Sequence, residues 1–131
     1  MKYLLDTDTL VYWLNGNQHI EGKAMSVGLD RIGYSIISKA ELYYGAYNSK
    51  RIRKNLENLS KVDDVLTLVY LEEVAAEWFG KIKAELKQKG NLIMDADILI
   101  ASTAIANDLV LVTNNTDHFK RIPMLKLDNW T

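Results

Sequence analysis

The chain has 131 residues, of which 48% are hydrophobic, and we expect residues 1–131 to fold as a single compact domain. A formal net charge of -1 excludes an attraction of the whole molecule to nucleic acid or to an anionic membrane, so any such contact needs a local basic patch. The lack of cysteine excludes disulfides and thiolate metal sites.

Nothing in the sequence indicates export or membrane insertion. The N-terminus has none of the features of a signal peptide. No apolar run approaches the ~20 residues that a membrane span needs. We therefore expect a soluble cytoplasmic protein without a membrane partner.

The N-terminal part alternates short apolar runs with helical spacing. The run KYLLD (residues 2–6) ends on an acid and predicts a buried strand, and TLVYWL (residues 9–14) predicts a helix that stops at the turn NGN. Residues 20–29 predict a weaker helix. The β-branched and aromatic run RIGYSII (residues 31–37) predicts the second strand.

The middle of the chain repeats this alternation. Ser38 and Glu41, three residues apart, fit the capping box of a helix that follows the second strand. Residues 49–61 then predict an amphipathic helix. Residues 64–70 predict the third strand, and residues 71–90 give the clearest helical pattern of the chain.

The last part supplies a buried helix and a buried strand. Residues 95–108 are apolar on most sides, which is typical of a helix packed in the middle of a domain. The run LVLVT (residues 109–113) has no polar alternation and predicts a strand buried on both faces. A polar turn over 114–119 leads to a short edge strand within 122–130. We therefore expect an α/β fold with a mainly parallel sheet of four to five strands and helices on both faces.

Acidic residues fall at or near one edge of this predicted sheet. Ligands bind beyond the carboxyl ends of parallel strands, and the acids placed there are Asp6, Glu41, Asp95, Asp97 and Asp117. Each has a simpler reading as a helix cap, a first-turn acid or a turn residue, as does Asp8. Those interpretations account for each acid singly. They do not explain why the ends of helices and strands that carry the acids should lie at the same edge of the sheet.

Converging carboxylates indicate a metal. Carboxylates that lie within a few ångströms of one another must take up protons or bind a cation. Oxygen ligands without histidine or cysteine suit Mg²⁺ or Mn²⁺. Such an ion polarises a phosphoryl oxygen and generates hydroxide from bound water, which is the chemistry of phosphodiester hydrolysis.

Four segments follow one another along nearly the whole chain: LLDTDTL with Asp6, ISKAELYYGA with Glu41, DADILIASTAIANDLVLVTNN with Asp97, and TNNTDHFKRIPMLKLDNW. In this order they resemble the motifs of the PIN-domain nucleases, and within them those of the VapC-type toxins of toxin–antitoxin pairs. The resemblance implies a three-layer α/β/α fold and a Mg²⁺- or Mn²⁺-dependent endoribonuclease that cuts structured RNA, in relatives often tRNA or rRNA. It also implies a homodimer that is inhibited by a small VapB-like antitoxin.

The resemblance also implies roles for single residues. Asp6, Glu41 and Asp97 would hold the metal, and Asp117 would complete the catalytic acids. Many relatives carry an acid directly before the phenylalanine of the last motif, where this chain has His118, so Asp117 stands one position early. Neither histidine of the chain is assigned a catalytic role. Supporting positions beside the metal ligands are Asp8, Asp95, Thr113 and Asn115.

RNA needs basic contacts around an acidic site. The candidates are Lys39, Lys50, Arg51 and Arg53, and Lys39 is the best placed because it lies two residues from Glu41. For the basic residues of the predicted helix at 71–90, a solvated helix face is the simpler interpretation.

Three other functions share some of these features. In phosphatases of the haloacid dehalogenase type, Asp6 would be the nucleophile and Asp8 the acid/base, but Thr9 and Leu10 depart from that motif. A phosphate-receiver domain needs an aspartate at the end of its third strand, and the run VYLEE has none there. A PIN-like module that binds RNA or a partner without cutting stays open.

Overall fold

A computed structural model describes residues 1–131 and contains a five-stranded sheet in which every strand pair is parallel. The strand order is β3-β2-β1-β4-β5, so β1 lies in the centre, with Tyr3 opposite both Ile32 and Val110. The predicted α/β fold is therefore confirmed, and the predicted edge strand is present. The strands are β1 (Tyr3–Leu5), β2 (Ile32–Ser35), β3 (Thr67–Val69), β4 (Val110–Val112) and β5 (Leu127–Asp128).

Seven α-helices connect these strands, and a 3₁₀ turn over Leu29–Arg31 leads into β2. None of the helices is long and apolar enough to cross a bilayer. The helices are α1 (Thr7–Leu14), α2 (Gln18–Val27), α3 (Ile36–Tyr47), α4 (Ile52–Val65), α5 (Glu73–Gln88), α6 (Asp95–Ala106) and α7 (Thr116–Phe119).

Alternation along the strands divides the apolar residues into two cores. Leu4 and Leu111 pack on one face of the sheet with buried residues of α5 and α6. Their neighbours Leu5 and Val112 pack on the other face with buried residues of α1, α2 and α4. Because successive strand residues point to opposite faces, a continuously apolar strand fills both cores at once. The result is three layers, with the sheet in the middle.

The start of α3 differs from the prediction. Ser35, the last residue of β2, caps the helix by accepting the backbone N–H of Ser38 on its Oγ at 3.0 Å. The capping box of Ser38 with Glu41 is therefore wrong, because the helix begins three residues earlier. Glu41 lies in the second turn of α3, so its carboxylate is not needed at the helix end.

All five strands place their carboxyl ends at one edge of the sheet, and several helices begin there. Helix α1 directly follows β1, and α3 directly follows β2. Three residues separate the end of α6 from the start of β4, so the C-terminus of this helix lies at the amino edge of the sheet. Its N-terminus therefore lies at the carboxyl edge as well. The segment predicted as a polar turn over 114–119 contains the short helix α7, which lies just beyond β4.

Candidate active site

Asp6 lies at the centre of this edge, directly after the central strand. Its backbone N–H donates to the carbonyl of Val112 at 3.0 Å, which ties it to β4. Its carboxylate accepts the backbone N–H of Thr9 at 2.8 Å and so caps α1. Only 5% of Asp6 is exposed. Burial raises the pKa of Asp6, and hydrogen bonds from Thr113 and Thr9 oppose that rise.

Asp97 lies in the first turn of α6, and its pKa shows the effect of the other acids nearby. The side chain is half-buried. Burial and then the negative charges of Glu41, Asp6 and Asp8 raise its pKa to about 6, against an ordinary value of 3.8. Burial is the larger of these causes, and the second requires other carboxylates nearby. The acid that follows β1 and the acids of α1, α3 and α6 therefore share one electrostatic environment, although up to 91 positions separate them in sequence (97 minus 6).

Glu41 is held by a residue that the sequence interpretation missed. The hydroxyl of Thr7, the first residue of α1, lies 2.6 Å from Glu41 Oε1 and 3.0 Å from Ser38 Oγ. Since the carboxylate oxygen only accepts, Thr7 donates to Glu41. A hydroxyl residue directly after the first acid, at the start of a helix, was the available sequence signal. Thr7 and Glu41 also line a groove of about 250 Å³ between α1, α3 and α4.

Three of the acids considered from the sequence stand outside this group or at its margin. Asp8 is exposed in the first turn of α1 and does not cap that helix, because Asp6 does; its charge still reaches Asp97. Asp95 forms an ion pair with Lys83 of α5 at 2.9 Å. Two residues along a helix rotate the side chain by about 200°, so Asp95 and Asp97 face different neighbours.

Asp117 is not brought to the group of acids. Its side chain is 86% exposed and forms an ion pair with Lys120 on the same short helix at 3.1 Å. Its neighbour His118 is the residue of α7 whose charge acts on Asp97, lowering the pKa of that carboxyl against the effect of the acids. The structure therefore places the carboxylate of Asp117 in solvent, and it places the charge of His118 near Asp97.

Thr113 and Asn115 lie at the corner between Asp6 and α7. Thr113 is fully buried, and its side chain hydrogen bonds to Asp6. The backbone N–H of Asn115 donates to Thr113 Oγ1 at 2.9 Å. The Asn115 amide nitrogen in turn lies 2.9 Å from His118 Nδ1. A continuous chain of contacts thus runs from the central acid to the imidazole.

The predicted basic contacts divide into two kinds. Lys39 is already paired, because its ammonium forms an ion pair with Asp63 of α4 at 2.7 Å. Tyr34 donates a hydrogen bond to the same carboxylate. Although burial raises the pKa of Asp63, the bonds from Lys39 and Tyr34 hold it below its ordinary value. The candidates that remain free of ion pairs are exposed and precede or begin α4: Lys50, Arg51 and Arg53.

The donor set fits a hard divalent cation in its chemistry. Asp6, Glu41 and Asp97 supply only carboxylate oxygens, the donors that Mg²⁺ and Mn²⁺ prefer, and a cation would relieve the repulsion that raises the pKa of Asp97. As they stand, no three acidic or histidine side chains surround a common point at ligand spacing. In this arrangement Glu41 Oε1 accepts the hydroxyl proton of Thr7.

Comparisons with known proteins agree with this architecture. Residues 3–125 match the family model of the PIN domain. The chain is 40% identical over 135 aligned residues to the ribonuclease VapC2 of Rickettsia felis, and the match covers 99% of this chain and 98% of that protein. It is 34% identical to the tRNA(fMet)-specific endonuclease VapC of Salmonella typhimurium, covering 99% and 98% of the two chains. The fold matches a chain in the crystal structure of VapBC2 from Rickettsia felis bound to a promoter DNA fragment, with a TM-score of 0.94, 37% identity and 100% coverage of both chains.

Proposed function

This chain belongs to the PIN-domain family, and from that premise we propose that it is a metal-dependent endoribonuclease, the VapC-type toxin of a toxin–antitoxin pair. The observation that carries the proposal is the convergence of Asp6, Glu41 and Asp97. The charges of Glu41 and Asp6 act on Asp97 at the carboxyl edge of a parallel sheet, where α/β proteins bind ligands. The proposal assigns residues 1–131 to one nuclease domain, because both cores use the same sheet.

The three acids are proposed to hold Mg²⁺ or Mn²⁺, which supplies a polarised phosphoryl oxygen and an activated water when it is bound. The protein's own contribution is placement. Thr113 and the Thr9 backbone fix the Asp6 carboxylate, so this ligand is ordered before the ion arrives. Thr7 holds one carboxylate oxygen of Glu41 beside the groove. Hydrogen bonds of this kind orient the ligands of metal sites.

The substrate is proposed to be structured RNA of the tRNA class. Names among the relatives include a tRNA(fMet)-specific endonuclease, and that specificity belongs to the Salmonella protein. In this chain, Lys50, Arg51 and Arg53 carry uncompensated positive charge next to Asn55, which lines the same groove as Glu41. Cations beside an acidic catalytic centre allow a polyanion to approach it. The ion pair with Asp63 removes Lys39 from this role as the side chains stand.

We propose the partners from the same similarity to VapC proteins. The solved VapBC structures contain toxin and antitoxin together, so a small VapB-like antitoxin is expected to bind and inhibit this chain. We also propose a homodimer. Exposed tyrosines on α3 offer apolar surface for protein contacts; Tyr44 is 70% exposed and Tyr47 is 61% exposed.

The test is cleavage of a tRNA transcript by the purified protein in Mg²⁺, in Mn²⁺ and in EDTA. We expect cleavage with either metal and none in EDTA. Asp6→Asn and Asp97→Asn should each abolish it. The matched control is Asp117→Asn, the same chemical change at a carboxylate that faces solvent, and it should cleave at nearly the original rate. Full activity in the Asp6→Asn or Asp97→Asn protein contradicts the assignment, and binding without cleavage by the unmodified protein indicates a non-cutting module.

A further inference from the structure

The acidic centre needs a hydrogen-bond donor for the phosphate that it acts on, and three of the lysines are engaged by other carboxylates. Lys39 pairs with Asp63, Lys83 with Asp95, and Lys120 with Asp117. The imidazole of His118 is joined to the central acid Asp6 by contacts through Asn115 and Thr113, so it lies beside the acidic centre.

Contacts around His118 fix the orientation of its ring. The Asn115 amide nitrogen can only donate, so the His118 Nδ1 at 2.9 Å accepts the hydrogen bond. A neutral imidazole with an acceptor at Nδ1 carries its proton on Nε2, and the charged imidazolium carries a proton on both nitrogens. In either form Nε2 has no lone pair for a metal ion, and it presents an N–H group.

The backbone around His118 is anchored on both sides. Phe119, the next residue, is buried to 99% in the core beneath α7. On the other side, Asn115 is tied through Thr113 to Asp6. The exposed imidazole therefore stands on a short, fixed support, and its distance to the acids is set by the core and not by a flexible loop.

We propose that His118 is a substrate-positioning residue whose Nε2–H donates to a phosphate oxygen of RNA bound at the Asp6, Glu41 and Asp97 centre. This inference rests on the proposed function and adds a contact that the sequence interpretation had reserved for an acid. An acid at this position would add negative charge beside Asp97. A histidine with this tautomer instead offers a donor to the polyanion and leaves the metal to the three carboxylates.

Isosteric substitutions separate this role from a metal-binding role. The amide nitrogen of glutamine reproduces the position of Nε2, whereas that of asparagine reproduces only the position of Nδ1. The variants are His118→Gln, His118→Asn and His118→Ala. All change an exposed side chain, and thermal melting confirms that each is folded.

The first measurement is binding of a fluorescein-labelled tRNA transcript in EDTA, where no metal contributes. We expect His118→Ala and His118→Asn to weaken binding about 10-fold, and His118→Gln to stay within about 3-fold of the unmodified protein. In Mg²⁺, the same two variants should raise KM by a similar factor with kcat nearly unchanged, as is typical for loss of a contact made equally in ground state and transition state.

The second measurement is Mn²⁺ binding without RNA by calorimetry, which should be the same in all four proteins. Weaker Mn²⁺ binding by His118→Ala, equal RNA binding by all four proteins, or equal rescue by asparagine and glutamine overturns the inference. If the unmodified protein binds RNA through His118 in EDTA but never cleaves it, the proposed nuclease function fails while this contact stands.

Discussion

Replacing Asp97 with asparagine in the metal-free protein is expected to stabilise the fold at pH 8. Asparagine has nearly the same shape but carries no charge, so it removes the cost of burying a charge and the repulsion from Glu41, Asp6 and Asp8. A pKa that rises from 3.8 to about 6 corresponds to about 3 kcal/mol between the two protonation states. Because Asp97 is only half-buried and water screens its charge, a gain of roughly 1–2 kcal/mol is expected.

The sign of the pH dependence follows from proton binding. The pKa of Asp97 is higher in the folded protein than in the unfolded chain, so between pH 4 and pH 6 the folded protein binds more protons. The contribution of Asp97 to the free energy of unfolding of the unmodified protein therefore falls as pH rises from 4 to 6. The advantage of Asp97→Asn should be absent below about pH 4, grow between pH 4 and 6, and stay constant above pH 6.

The assay is thermal unfolding in EDTA at a series of pH values. For a chain of 131 residues, the expected gain raises Tm by about 4–7 °C at pH 8. Added Mg²⁺ should raise Tm of the unmodified protein and have much less effect on the variant. The control is Asp117→Asn, which should leave Tm unchanged because that carboxylate is 86% exposed. A lower Tm for Asp97→Asn at pH 8, or a gain that is the same at pH 4 and pH 8, refutes the reasoning.

Further predictions concern the support of the site and the core. Thr113→Val should lower RNA cleavage about 10–100-fold with the fold retained, because Asp6 loses a hydrogen bond; a rate equal to that of the unmodified protein speaks against this. Lys39→Met should lower the free energy of unfolding by about 1 kcal/mol at pH 7, because it leaves Asp63 without its cation. Since the pKa of Asp63 lies below 3.8 in the folded protein, the difference should fade below pH 4, and urea unfolding at pH 7 and pH 3 checks it. Leu111→Ala should cost about 2–5 kcal/mol in urea unfolding, because the residue is fully buried in the central layer, and a loss under 1 kcal/mol contradicts the packing.

Periodicity predicted the class of fold but not the strand order. Runs such as LVLVT identify buried strands because a strand that is buried on both faces needs apolar side chains at consecutive positions. Which strands become neighbours depends on contacts between distant residues, so the central place of β1 between β2 and β4 is visible only in the structure. The rule that strand ends share an edge grouped five acids, and the resemblance to the PIN-domain nucleases selected Asp6, Glu41 and Asp97 among them as metal ligands.

Two details near the site are visible only in the structure. Asp117 is expected as an assisting acid because it is the acid nearest the family position that His118 occupies. Around a helix, each residue turns the side chain by about 100°, so these two neighbours point in different directions on the short helix α7. The cap of α3 was misplaced because both Ser35 and Ser38 suit a helix start and only the structure shows where β2 ends.

The central position of β1 also affects the order in which the protein folds during its synthesis. Strand β1 is the first to leave the ribosome, yet one of its two neighbours, β4, is among the last. Thr9, for example, donates to the Val112 carbonyl across 103 positions of the chain. A sheet built from such distant pairs forms slowly. An unfinished chain carries Asp6 and Glu41 but lacks the strand and the helix that bring Asp97 beside them. Translation therefore delays the assembly of the acidic centre until nearly the whole chain has been made.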